Sequence, residues 1–436
     1  MAFFIEVIMA FTGATAGLAA GAQTNDTRMD FALESTYATP PTGNYQALRI
    51  TGESFSRAET TGRPEEINSL KEVSQDVVTQ VSASGTISGA LSSGTFDDLI
   101  AGVMGADWSA NAVSMGNPGG DVLHASDSTF MNGVDCLQTA DVTSAKKFPA
   151  TGNLIISDPS CGFVISVPYT KIDTVSVPNA AVFVFGSGVL NSAAPLLKQC
   201  YGLAGTGSIH LGANSTYFIP SLLNGNLDKT FTIRKKLLGQ FLMYRGSLIT
   251  QVQFQLQQAQ FGTVSIDATS ANEVQSTTDI AASVLPAPSG VVHNSVNNFL
   301  GATVFGKSPQ GCLTQFTCTL ARDGSANDYG MGHADACGVR SGQFTASGSL
   351  EFYFRSWDEY NAALAGTQGT IIVKTVDDAG NGYAFIFLNA ALRNGKVSSS
   401  QTNQTVKASF DIAGNPATGG GTFAIMRLTG VTPTGS

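Results

Sequence analysis

Ala83-Ser84-Gly85-Thr86-Ile87, running through Leu91 into Phe96-Asp97-Asp98-Leu99-Ile100-Ala101 and stopping at Gly105, is met again 263 positions on. There it reads Ala346-Ser347-Gly348-Ser349-Leu350, runs through Phe354 into Trp357-Asp358-Glu359-Tyr360-Asn361-Ala362, and stops at Gly366. In both copies apolar residues alternate with small or polar ones, the period of a half-buried strand, and a short amphipathic helix follows. Thr95 ahead of Asp97 and Asp98, and Ser356 ahead of Asp358 and Glu359, suit a helix start. A hydroxyl there can cap free amides, and the carboxylates face the positive end of the helix dipole. Gly105 and Gly366 are the expected stops.

The likeness extends outward from that core. Upstream, Leu48 to Phe55 and Leu313 to Leu320 both read as strands followed by a polar loop. Downstream, Thr230-Phe231-Thr232-Ile233 turns through Leu238-Gly239-Gln240 into Phe241 to Phe254; its counterpart is Thr370-Ile371-Ile372-Val373, the turn Asp377 to Gly382, and Tyr383 to Leu388. Last strands are expected near Thr263 to Ile266 and Val406 to Ile412. The chain is therefore expected to be mainly β, with two tandem sandwich or barrel units that each carry one short α-helix. Between helix and hairpin the first unit holds residues 107–226, which the second lacks; apolar runs such as Leu154-Ile155-Ile156 and Ala181 to Phe185 mark them as an inserted β-rich subdomain. The expected division is 1–27 as an N-terminal arm, 28–106 with 227–268 as the first unit, 107–226 as the insertion, 269–311 as a surface linker, and 312–436 as the second unit with a C-terminal arm.

Composition excludes several classes of function. Only 13% of the 436 residues are charged, while 43% are hydrophobic and 48 are glycine, so the surface is built from uncharged polar side chains. With 23 basic against 32 acidic residues the net charge is −9, the wrong sign for a protein that holds nucleic acid by neutralising phosphates. No apolar run reaches the roughly 18 to 20 residues that span a bilayer as a helix. The segment Met1 to Ala22 is apolar but has no basic residue before Arg28, so it reads as an extended arm more readily than as a secretory signal. Cysteines 136, 161, 200, 312, 318 and 337 show no CxxC spacing; most are expected as buried thiols, although pairing of Cys312 with Cys318 or Cys337 stays open.

No catalytic constellation emerges. Gly205-Thr206-Gly207 is followed by His210 where a dinucleotide fingerprint needs glycine. The acid pairs Asp97-Asp98 and Asp377-Asp378 suit a helix start and a turn better than glycosidase carboxylates, and His124, His210, His293 and His333 are isolated. The reading is of a protein that is not an enzyme and takes no cofactor or metal.

The order and spacing of these motifs resemble those of the major tail tube proteins of long-tailed bacteriophages. Leu48 to Ser54, Glu65-Glu66-Ile67, and Ser84-Gly85 before Thr95 to Leu99 resemble the N-terminal half of that family. Phe231-Thr232-Ile233, Gly239-Gln240 and Tyr244-Arg245-Gly246 resemble its middle hairpin, and Gly348 to Tyr360 with Asp378-Ala379-Gly380-Asn381 its end. Arg245 stands where threonine would be expected, and the 107–226 insertion has no counterpart. The resemblance implies tail-tube-type units that pack edge to edge into rings, stacked as the hollow siphophage tail tube through which genomic DNA is ejected. Tape measure, tail tip and tail terminator proteins would be partners, DNA would pass without specific binding, and assembly would occur in the host cytoplasm before incorporation in the virion. Two units per chain make three chains the expectation for a ring, a homotrimeric pseudo-hexamer. The resemblance also makes the charged loop residues Glu59, Arg63, Glu65, Glu66, Lys71, Glu72 and Asp76 candidates for contact between rings, and the strand acids Glu53 and Glu351 candidates for the lumen wall. The competing reading is an exported bacterial surface or adhesion β-domain protein.

Overall fold

A computed structural model describes residues 22–65, 67, 69, 72–109, 113–125, 134–158, 163–172, 181–186, 188, 190, 208–213, 215–399 and 402–431. The N-terminal stretch up to residue 21, and with it most of the expected arm, lies outside the described residues, as do Cys161 and Cys200.

The fold is mainly β. The first stretch supplies β1 (Arg28–Leu33), β2 (Asn44–Ala47), β3 (Gly52–Glu53), β4 (Ser56–Gly62), β5 (Val77–Ala90) and α1 (Asp97–Met104). The stretch expected as an insertion supplies β6 (Val113–Gly116), β7 (Val122–His124), β8 (Cys136–Thr139), α2 (Val142–Ala145), β9 (Thr151–Asp158), β10 (Phe163–Ile172), β11 (Ala181–Phe185), β12 (Ser208–His210), β13 (Thr216–Ile219) and β14 (Leu222–Leu223). Next come β15 (Thr230–Leu237), β16 (Gln240–Gln257), β17 (Thr263–Ser270), β18 (Asn272–Ser276), β19 (Ser283–Leu285) and β20 (Phe299–Val304). The remainder holds β21 (Leu313–Asp323), β22 (Ala326–Asp328), β23 (Gly338–Arg340), β24 (Gln343–Tyr353), α3 (Asp358–Leu364), β25 (Gln368–Val376), β26 (Gly382–Ser398), β27 (Lys407–Asn415) and β28 (Phe423–Leu428).

The strand pairings are duplicated like the sequence. One series runs β1–β15–β16–β17–β5–β4, with β18 continuing the line of β17 along β16. The other runs β20–β25–β26–β27–β24–β21, with β28 beside β26. Ile87 faces Ile266, and its counterpart Leu350 faces Phe410. All these strands belong to one 18-stranded sheet among the described residues, and one apolar cluster runs continuously from Met29 to Ile425 across both series.

The glycine of the repeated Ala-Ser-Gly step has the same physical reason in each copy. A Cβ on Gly85 would lie 2.4 Å from Phe55 Cα, and one on Gly348 would lie 2.3 Å from the Thr317 carbonyl oxygen. In both, the neighbouring strand has come closer than a side chain allows. The two helices stop at Gly105 and Gly366, as the sequence predicts, but their starts differ from expectation. The N-cap residues are Phe96 and Trp357, and neither makes a side-chain cap; Ser356 Oγ accepts from the Asp358 amide at 3.1 Å, whereas Thr95 is buried and its hydroxyl lies 2.6 Å from Ser92 Oγ.

Two other expectations need correction. Leu48 to Phe55 is not one strand, because only Gly52–Glu53 pairs with β5 before the chain resumes as β4. The stretch 269–311, expected to loop over the surface, contains β18, β19 and β20, paired with β16, β2 and β25. It also sends Asp279 to the fully buried Arg234, which lies 2.7 Å from Asp279 Oδ1, 2.6 Å from Asp30 Oδ1 and 3.7 Å from the Tyr45 ring centre.

Residues 113–219 form an eight-stranded sheet with its own apolar cluster among the described residues. Its outer face packs onto the second series: Ile155, Val164 and Phe218 meet Ala384, Ile386 and Leu388. Among the described cysteines, Cys136, Cys312, Cys318 and Cys337 are free thiols, with Cys312 and Cys337 exposed. Replacing Gly348 by valine should push β21 and β24 apart and lower unfolding stability by about 1–3 kcal/mol; equilibrium denaturation checks this, and an unchanged midpoint would refute the close-approach explanation.

Candidate assembly interface

The two strand series meet inside the chain along one backbone seam. Side chains at alternate positions of β21 are buried, as the period-2 sequence requires, and the strand lies between two neighbours. On one side is β24; on the other is the C-terminal half of β16, with Gln251 to Gln257 facing Ala321 to Gln315. The pairs Val252–Leu320, Phe254–Cys318 and Leu256–Phe316 are buried across it.

Helix α1 packs against this seam, and seven of its residues, Asp97 and Leu99 to Met104, are buried. Arg322 Nε donates to the Val103 carbonyl at 2.7 Å, satisfying an acceptor that the helix end leaves free. At the other end, Asp97 accepts from Tyr383 Oη and from Arg427 Nη2, both of the second series. Trp108 donates its indole N–H to the Asp97 carbonyl at 2.8 Å and lies 4.0 Å under the Arg427 guanidinium. Burial, followed by the nearby Asp97 charge, raises the pKa of Asp98. Burial, then the Asp97 charge, also holds the Tyr383 phenol well above its usual range.

His293 fastens the seam from behind. Its backbone exchanges hydrogen bonds with Leu91 and Gly262, and its Nδ1 lies 3.1 Å from Thr375 Oγ1. Fully enclosed, its ring has its pKa pushed down to about 4 by burial, partly offset by Asp377.

The charged loop is the end of an arm. Every residue of β4 is exposed except Gly62, and the first residues of β5, including Val77 and Val78, are exposed as well. Glu59 pairs with Arg57 at 2.7 Å, while Arg63 and Asp76 stand 3.9 Å apart across the base of the loop. Glu65 is exposed, Glu72 has a partner of its own, and Glu66 and Lys71 lie outside the described residues. The structure therefore brings Glu59, Arg63 and Asp76 together on one hairpin.

Glu53 and Glu351 are far apart in register but alike in surroundings. Glu53 Oε1 accepts from Lys235; Glu351 Oε1 accepts from Lys407 at 2.6 Å and from Thr314 Oγ1 at 2.8 Å, and the lysine bond, as the larger cause, lowers its pKa. Asp377 accepts from the Ala379 and Asn381 amides at 2.9 and 2.8 Å, which is turn chemistry. Sequence reasoning missed Trp108, Arg322, Tyr383, Arg427 and His293 as seam residues. Each is a single polar or aromatic residue whose partner lies far away in the chain, so no local pattern announces it.

A protein-family model described as phage tail tube protein matches residues 24–422. No curated protein matches the chain significantly.

The seam gives a pH dependence of definite sign. The unfolded chain binds the His293 proton more tightly than the fold does, so this contribution to stability is complete above about pH 6.5 and is lost as pH falls toward about 4. Its size is on the order of 3 kcal/mol. Thermal unfolding followed between those pH values should show the loss, and a His293→Gln variant should flatten it; an identical slope in the variant would remove His293 from the account.

Proposed function

This chain belongs to the phage tail tube protein family, and on that premise we propose that three copies close into a ring and that stacked rings form the tube through which the genome leaves a siphophage particle. As a member it is a structural, non-enzymatic component of a phage tail. The observation that carries the finer reading is the duplicated strand pairing. Each chain supplies two equivalent strand series joined in one sheet and one continuous core, so three chains would supply the six wall segments of a pseudo-hexameric ring. A contact repeated head to tail closes into such a ring when its rotation is a fraction of a turn.

The domain division used in this reading is the one expected from sequence: an arm at 1–27, a first unit at 28–106 with 227–268, an insertion at 107–226, a connecting stretch at 269–311, and a second unit at 312–436. The β4–β5 arm, exposed on both faces and tipped with charges of both signs, suits contact with the next ring, where opposite charges set register more than affinity. Tape measure, tail tip and tail terminator proteins complete the proposed assembly, made in the host cytoplasm. For DNA, a chain of net charge −9 repels phosphates. If Glu53 and Glu351 line the lumen they do so as Glu–Lys pairs, so the repulsion comes from the chain's overall charge. An exported surface module would stay monomeric or anchored.

Purified protein, concentrated and imaged by negative-stain microscopy, should show rings or hollow tubes; uniform single particles would count against the reading. Charge reversal of Glu65 and Glu66 to lysine should leave rings intact while shortening tubes several-fold, and tubes of unchanged length would exclude the loop from stacking.

A further inference from the structure

The seam inside the chain has two halves that recur, unpaired with each other, at its opposite ends. Cross-strand partners fix the correspondence. Arg57 faces Ala83 on β5 and Leu320 faces Ala346 on β24, so the repeated Ala-Ser-Gly step makes β4 the counterpart of β21. Gln251 faces Asp267 and Arg393 faces Asp411; Phe254 faces Val264 and Val397 faces Ala408. The end of β26 is thus the counterpart of the half of β16 that holds β21.

Among the described residues both counterparts have an open edge. Strand β21 is buried at alternate positions, whereas β4 is exposed nearly throughout. Strand β26 is buried from Gly382 to Leu392 except at Asn389, and turns exposed or half-exposed from Arg393 onward; from Arg393 to Val397 it pairs with β27, and among the described residues no second strand takes the position that β21 takes beside β16. The helices repeat the contrast independently. Helix α1, beside the filled seam, is buried along seven residues, while α3, beside the empty one, has no buried residue, with Trp357 and Leu364 exposed at 55% and 73%.

We infer that the β26 edge of one chain pairs antiparallel with the β4 edge of the next, reproducing the internal seam between copies. This rests on the ring reading above and names its surface. The occupant is a second copy because the chain itself holds a worked example of the contact. Transposing the internal register, in which Gln251 faces Ala321, Gln253 faces Thr319 and Phe254 faces Cys318, sets Arg393 opposite Ala58, Lys396 opposite Ser56 and Val397 opposite Phe55. Arg393 and Lys396 then approach a strand that carries Glu59, and the incoming β4 arm covers Trp357 and Leu364 of α3 as β21 accompanies α1. Pairing two open edges also removes the exposed backbone that would otherwise recruit strands indiscriminately.

The test is disulfide trapping in the full chain, on a Cys312→Ser, Cys337→Ser background that removes the exposed thiols among the described residues, with Cys161→Ser and Cys200→Ser added. Chains carrying Ala58→Cys are mixed with chains carrying Arg393→Cys, and Ser56→Cys with Lys396→Cys as a second pair. Thermal unfolding matched to the parent shows that each variant folds. Under mild oxidation most of each mixture should run as a two-chain species that reductant reverses, and a chain with both Ala58→Cys and Arg393→Cys should give a closed three-chain product, neither being formed by the parent. Rings or tubes without either cross-link would overturn this edge assignment and leave the tube reading standing. Folded variants and parent that never assemble would overturn the tube reading and this inference with it.

Discussion

Seven residues of β16 hydrogen-bonding to seven of β21 turn a duplicated sequence into one structural body. A lone sheet of this kind would expose backbone donors and acceptors along β16 and again along β21. Joining those edges satisfies the polar groups and lets Phe254, Cys318, Leu320 and Phe316 close over one another. The remaining cross-links follow the same line. Asp97 cannot reach Tyr383 and Arg427, nor Arg322 the end of α1, unless the two strand series are already held in this register. The seam is also sensitive to charge, because burial disfavours the protonated form of the enclosed His293 ring.

The insertion reinforces the same junction from the other face. It leaves the chain after α1 and returns before β15, yet it packs on β26 and β28 of the second series. Short connections complete the attachment: Ser166 donates its amide to Thr418, β14 pairs with β28, and Asn224 Oδ1 accepts from the Thr422 and Phe423 amides at 2.7 and 3.0 Å. A segment inserted in one half and docked on the other ties the halves as a staple would. It also makes them unequal, since only the first half carries it. A ring of three such chains, as proposed above, would have six similar wall segments but only three insertions.

How much of this was legible in the sequence depends on range. The repeated Ala-Ser-Gly strand, the helix after it and the alternation of Leu313 to Leu320 are local patterns, and the structure reproduces them because burial of one sheet face imposes period 2. Leu48 to Phe55 is not one strand, and an alternating pattern does not reveal where a strand is interrupted; the chain bonds to β5 only from Thr51 to Ser54 before Phe55 comes against Gly85. The strands within 269–311 are three to six residues long and pair with distant partners, so serine, asparagine and proline dominated the reading. The candidate interface was hardest to foresee. Asp97 was recognisable as an acid at a helix start, but the reason it is buried lies in Tyr383 and Arg427, which no spacing rule connects to it.

The claim that one internal contact, repeated between copies, closes the ring is tested most directly by averaging end-on views of assembled rings at a resolution that separates the wall from the insertions. Rings of three chains should show six wall lobes with three outlying insertion lobes, a sixfold pattern modulated to threefold. Six insertion lobes around the wall, which would mean six chains per ring, would contradict it.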